Sequence, residues 1–457
     1  MQNHPARCIT PSTLRPLHRD HFFARLAFCP PTHPETRKTS IKSIGEGASG
    51  TMTSSAAATS AVGKPLPHTH SCIYLDYNAT TPVFPEVADE MLPMLQKVGN
   101  PSSSHAYGRP CKEAVDVARA RVAAMVGASP AEICFTSCGS ESDTWAIWGT
   151  VMSARQRHGP GFTPHVVSSC IEHPAIIECL SMLAKQSLLT FTLVPVSAEG
   201  LVSIDDVARA MQPETVLLTF MHSNNEVGSL QPIAELARLA HQHGALMHCD
   251  AAQSLGKVAV DVQALGVDLL TIVGHKFGGP KGVAALYVRQ GVQLERLLCG
   301  GGQESGRRAG TESVVLLAGL GKAAELVTRE LPATAAHMAA LRDSLQQQLL
   351  AGLPPGVARV NGPADDAKRL PNTLSVGING ISAAALLAEL SEQLAASAGA
   401  ACHSSCDHGV SGVLQAMAVP TEHAVGTLRL SVGRHTTQRD VDRAATLILD
   451  YVARQAA

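Results

Sequence analysis

The sequence is poor in aromatic residues, in net charge and in long apolar runs. Aromatics make up 4% of 457 residues, so its cores must be built from small and aliphatic side chains, which suits closely packed helices on an α/β sheet. A formal net charge of −2 argues against nucleic acid or a membrane surface as the main partner. No apolar run is long enough to span a bilayer. The twelve cysteines include no C-x-x-C pair, so neither a zinc site nor a disulfide framework is suggested, no metal is expected, and a reducing compartment is the simpler reading. No internal repeat is visible.

Apolar residues are plentiful at 45%, enough for two large cores. Residues 1–70 stand apart, with eight Lys/Arg against three Asp/Glu, many Pro, Ser and Thr, and no sustained periodicity. They read as an organellar transit segment, as a disordered tail, or as sequence upstream of a start at Met52. The compartment is accordingly expected to be cytoplasmic, or mitochondrial or plastid if the segment targets. The expected organisation is an extension over 1–70, a large domain over 71–330 and a small domain over 331–457.

From Ile73 the chain alternates apolar runs with helical patterns. Strands are expected at Ile73–Asp76, Ile133–Ser137, His165–Cys170, Leu188–Val196, Thr215–His222, Ala245–Asp250, Asp268–Val273 and Gly282–Arg289. Helices are expected at Cys111–Val126, Glu141–Ala154, Pro174–Lys185 and Pro232–His243. This spacing predicts a mostly parallel sheet covered on both faces, with ligands beyond the carboxyl ends of the strands. After Gly310 a long helical stretch, interrupted at Pro332, leads into an α+β pattern: strands Asn372–Ile378 and Thr427–Val432, a helix Ala383–Leu390 and a closing helix from Gln438. Thr437 and Asp440 resemble a capping box there.

Polar residues collect at the strand ends. Lys276 follows the apolar strand Asp268–Val273 in a glycine-rich turn, Gly274-His275-Lys276-Phe277-Gly278-Gly279. Desolvation there would lower its pKa and make the amine a nucleophile; taken alone, it reads more readily as an exposed turn lysine. Asp250 closes the preceding strand, and a buried carboxylate requires a cationic partner, which a pyridinium nitrogen would supply. A lysine and such an acid are the pair that pyridoxal phosphate (PLP) chemistry requires. Ser137-Cys138-Gly139-Ser140-Glu141-Ser142, between strand and helix, is either an anion site or a plain helix cap. His173 would stack on a cofactor ring or cap a helix, and Asn224-Asn225-Glu226 follows another strand end.

The stretches YLDYNATTP, NPSSSHAYGR, FTSCGSESD, EHPA, NNEVG, HCDAAQSLGK, GHKFGGPKG, GGGQESGRRAGTES and GAACHS occur in one order. In these, the chain from Ile73 onward resembles the fold-type I, class V aminotransferase-like PLP enzymes that include cysteine desulfurases and selenocysteine lyases. The resemblance implies that Lys276 binds the cofactor aldehyde and, once released, takes the Cα proton. It also implies that Asp250 pairs with the ring nitrogen, that His173 stacks on the ring and assists proton transfer, and that Gln253 and Asn225 contact the ring hydroxyl region. Gly139, Ser140 and His275 would hold the phosphate, and Thr311 would reach the phosphate of a second subunit, implying a homodimer. Arg429 would fork the substrate carboxylate, supported by Asn372.

Cys402, in the loop GAACHSSCDHG, would be the thiolate that accepts the chalcogen, with His403 or His173 as a base and Cys406 as a bystander. The expected reaction converts L-selenocysteine or L-cysteine to L-alanine, leaving selenide or a Cys402 persulfide for an acceptor protein. Cys138 replaces the usual glycine of the family's phosphate motif, Ser140 its Thr, and Val273 a common Ser. The segment Ile272-Val273-Gly274-His275-Lys276-Phe277 leans towards selenocysteine lyases, whereas Gly279-Pro280-Lys281-Gly282 looks more like desulfurases. A cysteine desulfurase serving iron–sulfur assembly or thiolation is the alternative. A non-catalytic scaffold on the same fold is disfavoured, because no lysine, aspartate or arginine of the motif is missing.

Overall fold

The computed structural model describes residues 72–159, 161–399 and 410–456. The N-terminal extension over 1–70 lies outside them, as do Cys402, His403 and Cys406.

Runs such as Leu269–Val273 (LLTIV) and Ala284–Val288 (AALYV) are buried at every position, as expected of strands covered on both faces. They lie in a seven-stranded sheet ordered Ile133–Thr136, Ala284–Val288, Leu269–Val273, Leu246–Asp250, Thr215–Met221, His165–Ser169 and Thr190–Val194. Six of the seven strands run in one direction, and Ala284–Val288 is antiparallel to both of its neighbours. Alternate side chains divide between the faces. Leu218, Phe220, Leu270 and Ile272 join a core completed by the helices Gly108–Met125, Ile233–Gln242 and the first half of Val314–Gly352. On the other face, Val166 and Leu217 pack against the helices Gly139–His158 and Pro174–Lys185.

A second core forms around a four-stranded antiparallel sheet ordered Ser397–Ala398, Thr427–Ser431, Thr373–Ile378 and Ala358–Asn361. It takes in Met338, Leu341, Leu345 and Leu349 from the second half of Val314–Gly352, and the closing helix Gln438–Ala456. Asp440 accepts from the Thr437 N–H at 2.9 Å while the Thr437 hydroxyl accepts from the Asp440 N–H at 3.2 Å, a reciprocal cap. Ile73 and Leu75 also pack here, and the short strand Ile73–Tyr74 pairs with Leu394–Ala395 rather than with the large sheet.

One expectation is corrected, and one helix is added. The helix is not interrupted at Pro332: Val314–Gly352 runs through it and joins the two cores. Proline deletes one i→i−4 hydrogen bond, but packing on both sides of it holds the remaining turns together. A helix at Ile204–Ala210, capped by the Ser203 hydroxyl, went unread because seven residues give too short a periodic signal.

Candidate active site

The parallel strands deliver their polar successors to one edge of the sheet. Glu172 and His173 follow His165–Ser169, Asn225 follows Thr215–Met221, Asp250 and Gln253 end and follow Leu246–Asp250, and Lys276 follows Leu269–Val273. Arg429 enters from the smaller sheet. One cleft is lined by His173, Asn225, Gln253, Lys276 and Arg429, together with Asn78.

Asn78 is the hub of this cleft, and sequence reasoning assigned it no role. Its backbone oxygen accepts from the Lys276 amine at 2.6 Å and from the Gln253 amide at 2.9 Å. Its side-chain oxygen accepts from Asn372 at 3.0 Å and from Lys257 at 3.2 Å, and its side-chain nitrogen donates to the Thr373 hydroxyl at 2.9 Å. Asn78 is buried, so each of these bonds replaces one that water would have made. Lys276 also donates to the Ala79 carbonyl at 3.0 Å, so it is a held amine and not a loose turn lysine.

Asp250 is 7% exposed. One of its oxygens accepts the Ala252 N–H at 2.9 Å, and among the described residues no basic side chain is close enough to form an ion pair with it. Burial raises its pKa, and the Ala252 N–H, His173 and Lys276 only partly offset this. Such a carboxylate suits a cationic partner from outside the chain. Beside it, burial pushes Glu172 up to about 8. Glu172 accepts the Ser169 hydroxyl and the Met221 N–H. Asp143 is likewise raised by burial and by Asp250. His248, between Thr219 (2.8 Å) and Thr271 (3.1 Å), is held neutral by burial at about 3.

His173 caps the helix Pro174–Lys185, its Nδ1 accepting the Ala175 N–H at 3.1 Å, and it also lines the cleft. The two readings of this residue are therefore compatible. Gly139 and Ser140 open the 20-residue helix Gly139–His158, whose cap residue Cys138 makes no side-chain capping bond, leaving first-turn N–H groups for an anion. Val273 explains the glycine: a Cβ on residue 139 would lie 2.8 Å from its methyl group. His275 bonds the Thr80 hydroxyl at 3.1 Å, and burial first, then Lys276, pushes its pKa down to about 4.

Arg429 is 7% exposed and is engaged from several sides. It donates to Asp76 and to the Ser397 hydroxyl at 2.8 Å each and to the Asn225 carbonyl at 3.1 Å, while its buried Nε has no hydrogen-bond partner among the described residues. The Asn372 amide donates to Asn78 and to the Val432 carbonyl rather than to a group on Arg429. Thr311 lies apart from the Lys276 cleft, in a second cleft with Ser137, Gly282 and Arg308. Ser397 and Val413, which bracket the Cys402 loop in the chain, respectively bond Arg429 and line the cleft. Among the described residues no group of three or more candidate ligands could hold a metal, and no helix is long and apolar enough to cross a membrane.

The family description "Aminotransferase class-V" matches residues 73–444. The chain is 40% identical over 372 residues to cysteine desulfurase IscS of Clostridium botulinum, covering 81% of this chain and 91% of that protein. It is 41% identical over 411 residues to selenocysteine lyase of Bos taurus, covering 84% and 93%. Among solved structures, a NifS-like protein superposes with a TM-score of 0.76 at 34% identity, covering 84% of this chain and 99% of that one. SspA in complex with cysteine superposes with a TM-score of 0.66 at 33% identity, covering 80% and 99%.

Proposed function

Because the chain belongs to the aminotransferase class-V family, whose enzymes work with pyridoxal phosphate, we propose that it removes selenium from L-selenocysteine, or sulfur from L-cysteine, and releases L-alanine. The observation that carries this reading is the single cleft shared by the Lys276 amine, Gln253, His173 and the Arg429 guanidinium. The residues fit the cofactor: Asp250 is a buried carboxylate with no ion-pair partner among the described residues, and the Gly139–His158 helix opens without a side-chain cap. When bound, pyridoxal phosphate supplies an electron sink for bonds at the substrate Cα.

The chain's own groups divide the remaining work. Lys276 anchors the cofactor and serves as the base at the substrate Cα. Asp250 holds the ring nitrogen in its charged form, while Gly139, Ser140 and His275 hold the phosphate. His173 and Asn225 face the ring, together with Gln253. Arg429 forks the substrate carboxylate, exchanging Asp76 for it. Cys402 accepts sulfur as a thiolate, and its loop is bracketed in the chain by Ser397, which bonds Arg429, and by Val413, which lines the cleft. The identities to a selenocysteine lyase and to a cysteine desulfurase are nearly equal, and the Ile272–Phe277 segment tips the reading towards the lyase.

A homodimer is part of the same proposal. Leu92, Leu95, Val98 and Tyr107 are exposed apolar residues close in sequence that a second copy would cover, and Thr311 stands outside its own chain's Lys276 cleft. The test is alanine release from each amino acid by wild type and Cys402→Ala. Preference for selenocysteine supports the lyase. Efficient cysteine turnover that needs Cys402, with selenocysteine no better, makes the enzyme a desulfurase. Absence of a visible cofactor band that Lys276→Ala abolishes overturns both.

A further inference from the structure

Lys257 is a buried lysine that the proposed chemistry does not use. It is 4% exposed, and its amine donates to Gln253 Oε1 at 2.8 Å and to Asn78 Oδ1 at 3.2 Å. Both acceptors are neutral amides, and among the described residues no carboxylate pairs with it. Burial first, and then the like charges of Lys276 and Arg429, push its pKa well below the ordinary lysine value. The site offers this amine two acceptors, both of them amide oxygens.

These bonds settle how two amides point. With its oxygen facing Lys257, Gln253 must present its NH₂ group, which reaches the Asn78 backbone carbonyl at 2.9 Å. That same carbonyl receives the Lys276 amine at 2.6 Å. The Asn78 side chain is fixed likewise, its oxygen shared between Lys257 and Asn372. Both lysines also line one cavity with Tyr77, Phe277, Val327 and Met338. We propose that Lys257 is a positioning residue for Lys276, locking Asn78 and Gln253 so that the Asn78 carbonyl stands where it holds the reactive amine. This inference rests on Lys276 being the cofactor lysine.

The test compares full-length wild type, Lys257→Met, Asn78→Ala and the double variant, each freed of cofactor. The readout is the rate at which acetic anhydride labels Lys276, measured by mass spectrometry against exposed Lys112 in the same chain. Methionine preserves the length of the side chain and is compatible with the largely apolar cavity, so the unfolding midpoint should hold. Lys257→Met is expected to raise the Lys276 rate at least about threefold, and to change it less than about 1.5-fold once Asn78 is alanine, as coupled sites require. An unchanged Lys276 rate overturns the proposal, as does an equal rise in both backgrounds, or a parallel rise at Lys112 with a lowered unfolding midpoint. The visible band of reconstituted wild type separates the two failures. Without a band that Lys276→Ala abolishes, the cofactor assignment itself falls; with it, only the role of Lys257 is at stake.

Discussion

Lys276 and Asn78, 198 positions apart in sequence, meet through the lysine amine and the asparagine backbone carbonyl at 2.6 Å. Alanine at 78 keeps that carbonyl but removes the side-chain bonds to Thr373, Asn372 and Lys257 that fix the turn. Asn78→Ala is expected to lower kcat about tenfold or more through mispositioning, with a smaller effect on KM. Steady-state rates at saturating and limiting substrate check it. A pure KM effect would assign Asn78 to substrate binding.

Arg429 gives the opposite signature. Its guanidinium is the buried cation at the cleft wall, with Asp76 already on one nitrogen. Arg429→Lys keeps the charge and loses the planar fork, so KM should rise about tenfold while the visible cofactor band is unchanged. A titration of substrate against initial rate is sufficient. An unchanged KM would place the carboxylate elsewhere.

Glu304 carries a stability prediction. It is buried, adopts a positive φ of 51°, forks Arg119 at 2.6 and 2.7 Å, and accepts the Phe135 N–H at 2.9 Å. Glu304→Gln leaves the Arg119 guanidinium without its counter-charge and should cost about 3 kcal/mol. Denaturant unfolding measures it. Adding Arg119→Gln should recover part of the loss, because the stranded charge then disappears.

The strand ends were legible because each short apolar run is followed closely by its polar residue, so Asp250 and Lys276 could be placed from chain order alone. The helix Pro174–Lys185 was legible to the residue, since proline opens it and Lys185 closes its amphipathic face. Lys257 was not. It lies four residues after Gln253, but its burial depends on Asn78 arriving from 179 positions away, which no local pattern encodes. Asn372 was associated with Arg429, whereas its hydrogen bonds go to Asn78 and Val432, a distinction set by side-chain direction in the folded sheet. Pro332 misled because local propensity forbids what two flanking cores enforce.

Glu172 and His248 predict opposite pH dependences from neighbouring positions. Burial first, and then Asp250, raise Glu172 to about 8 from 4.5, although the Ser169 hydroxyl and the Met221 N–H favour its charged form. Between these values the native chain holds a proton that the unfolded chain has released, so this contribution to stability is complete below about pH 4.5 and is lost as pH rises through 8. Glutamine mimics the protonated acid, donating to the Ser169 hydroxyl and accepting the Met221 N–H. Glu172→Gln should match wild type near pH 5 and exceed it near pH 8, the gap widening by of order 1 kcal/mol per pH unit. His248 runs the other way: burial lowers it to about 3 from 6.5, so its contribution is present above about pH 6.5 and lost as pH falls through 3. In His248→Asn the deficit relative to wild type should therefore shrink as pH falls below 6.5. Unfolding midpoints of the three proteins at pH 5, 6.5 and 8 check both slopes. A pH-independent offset between wild type and Glu172→Gln would mean that Glu172 is charged in the fold, and the partner of that charge would then have to be found among Lys276, His173 and the bound cofactor.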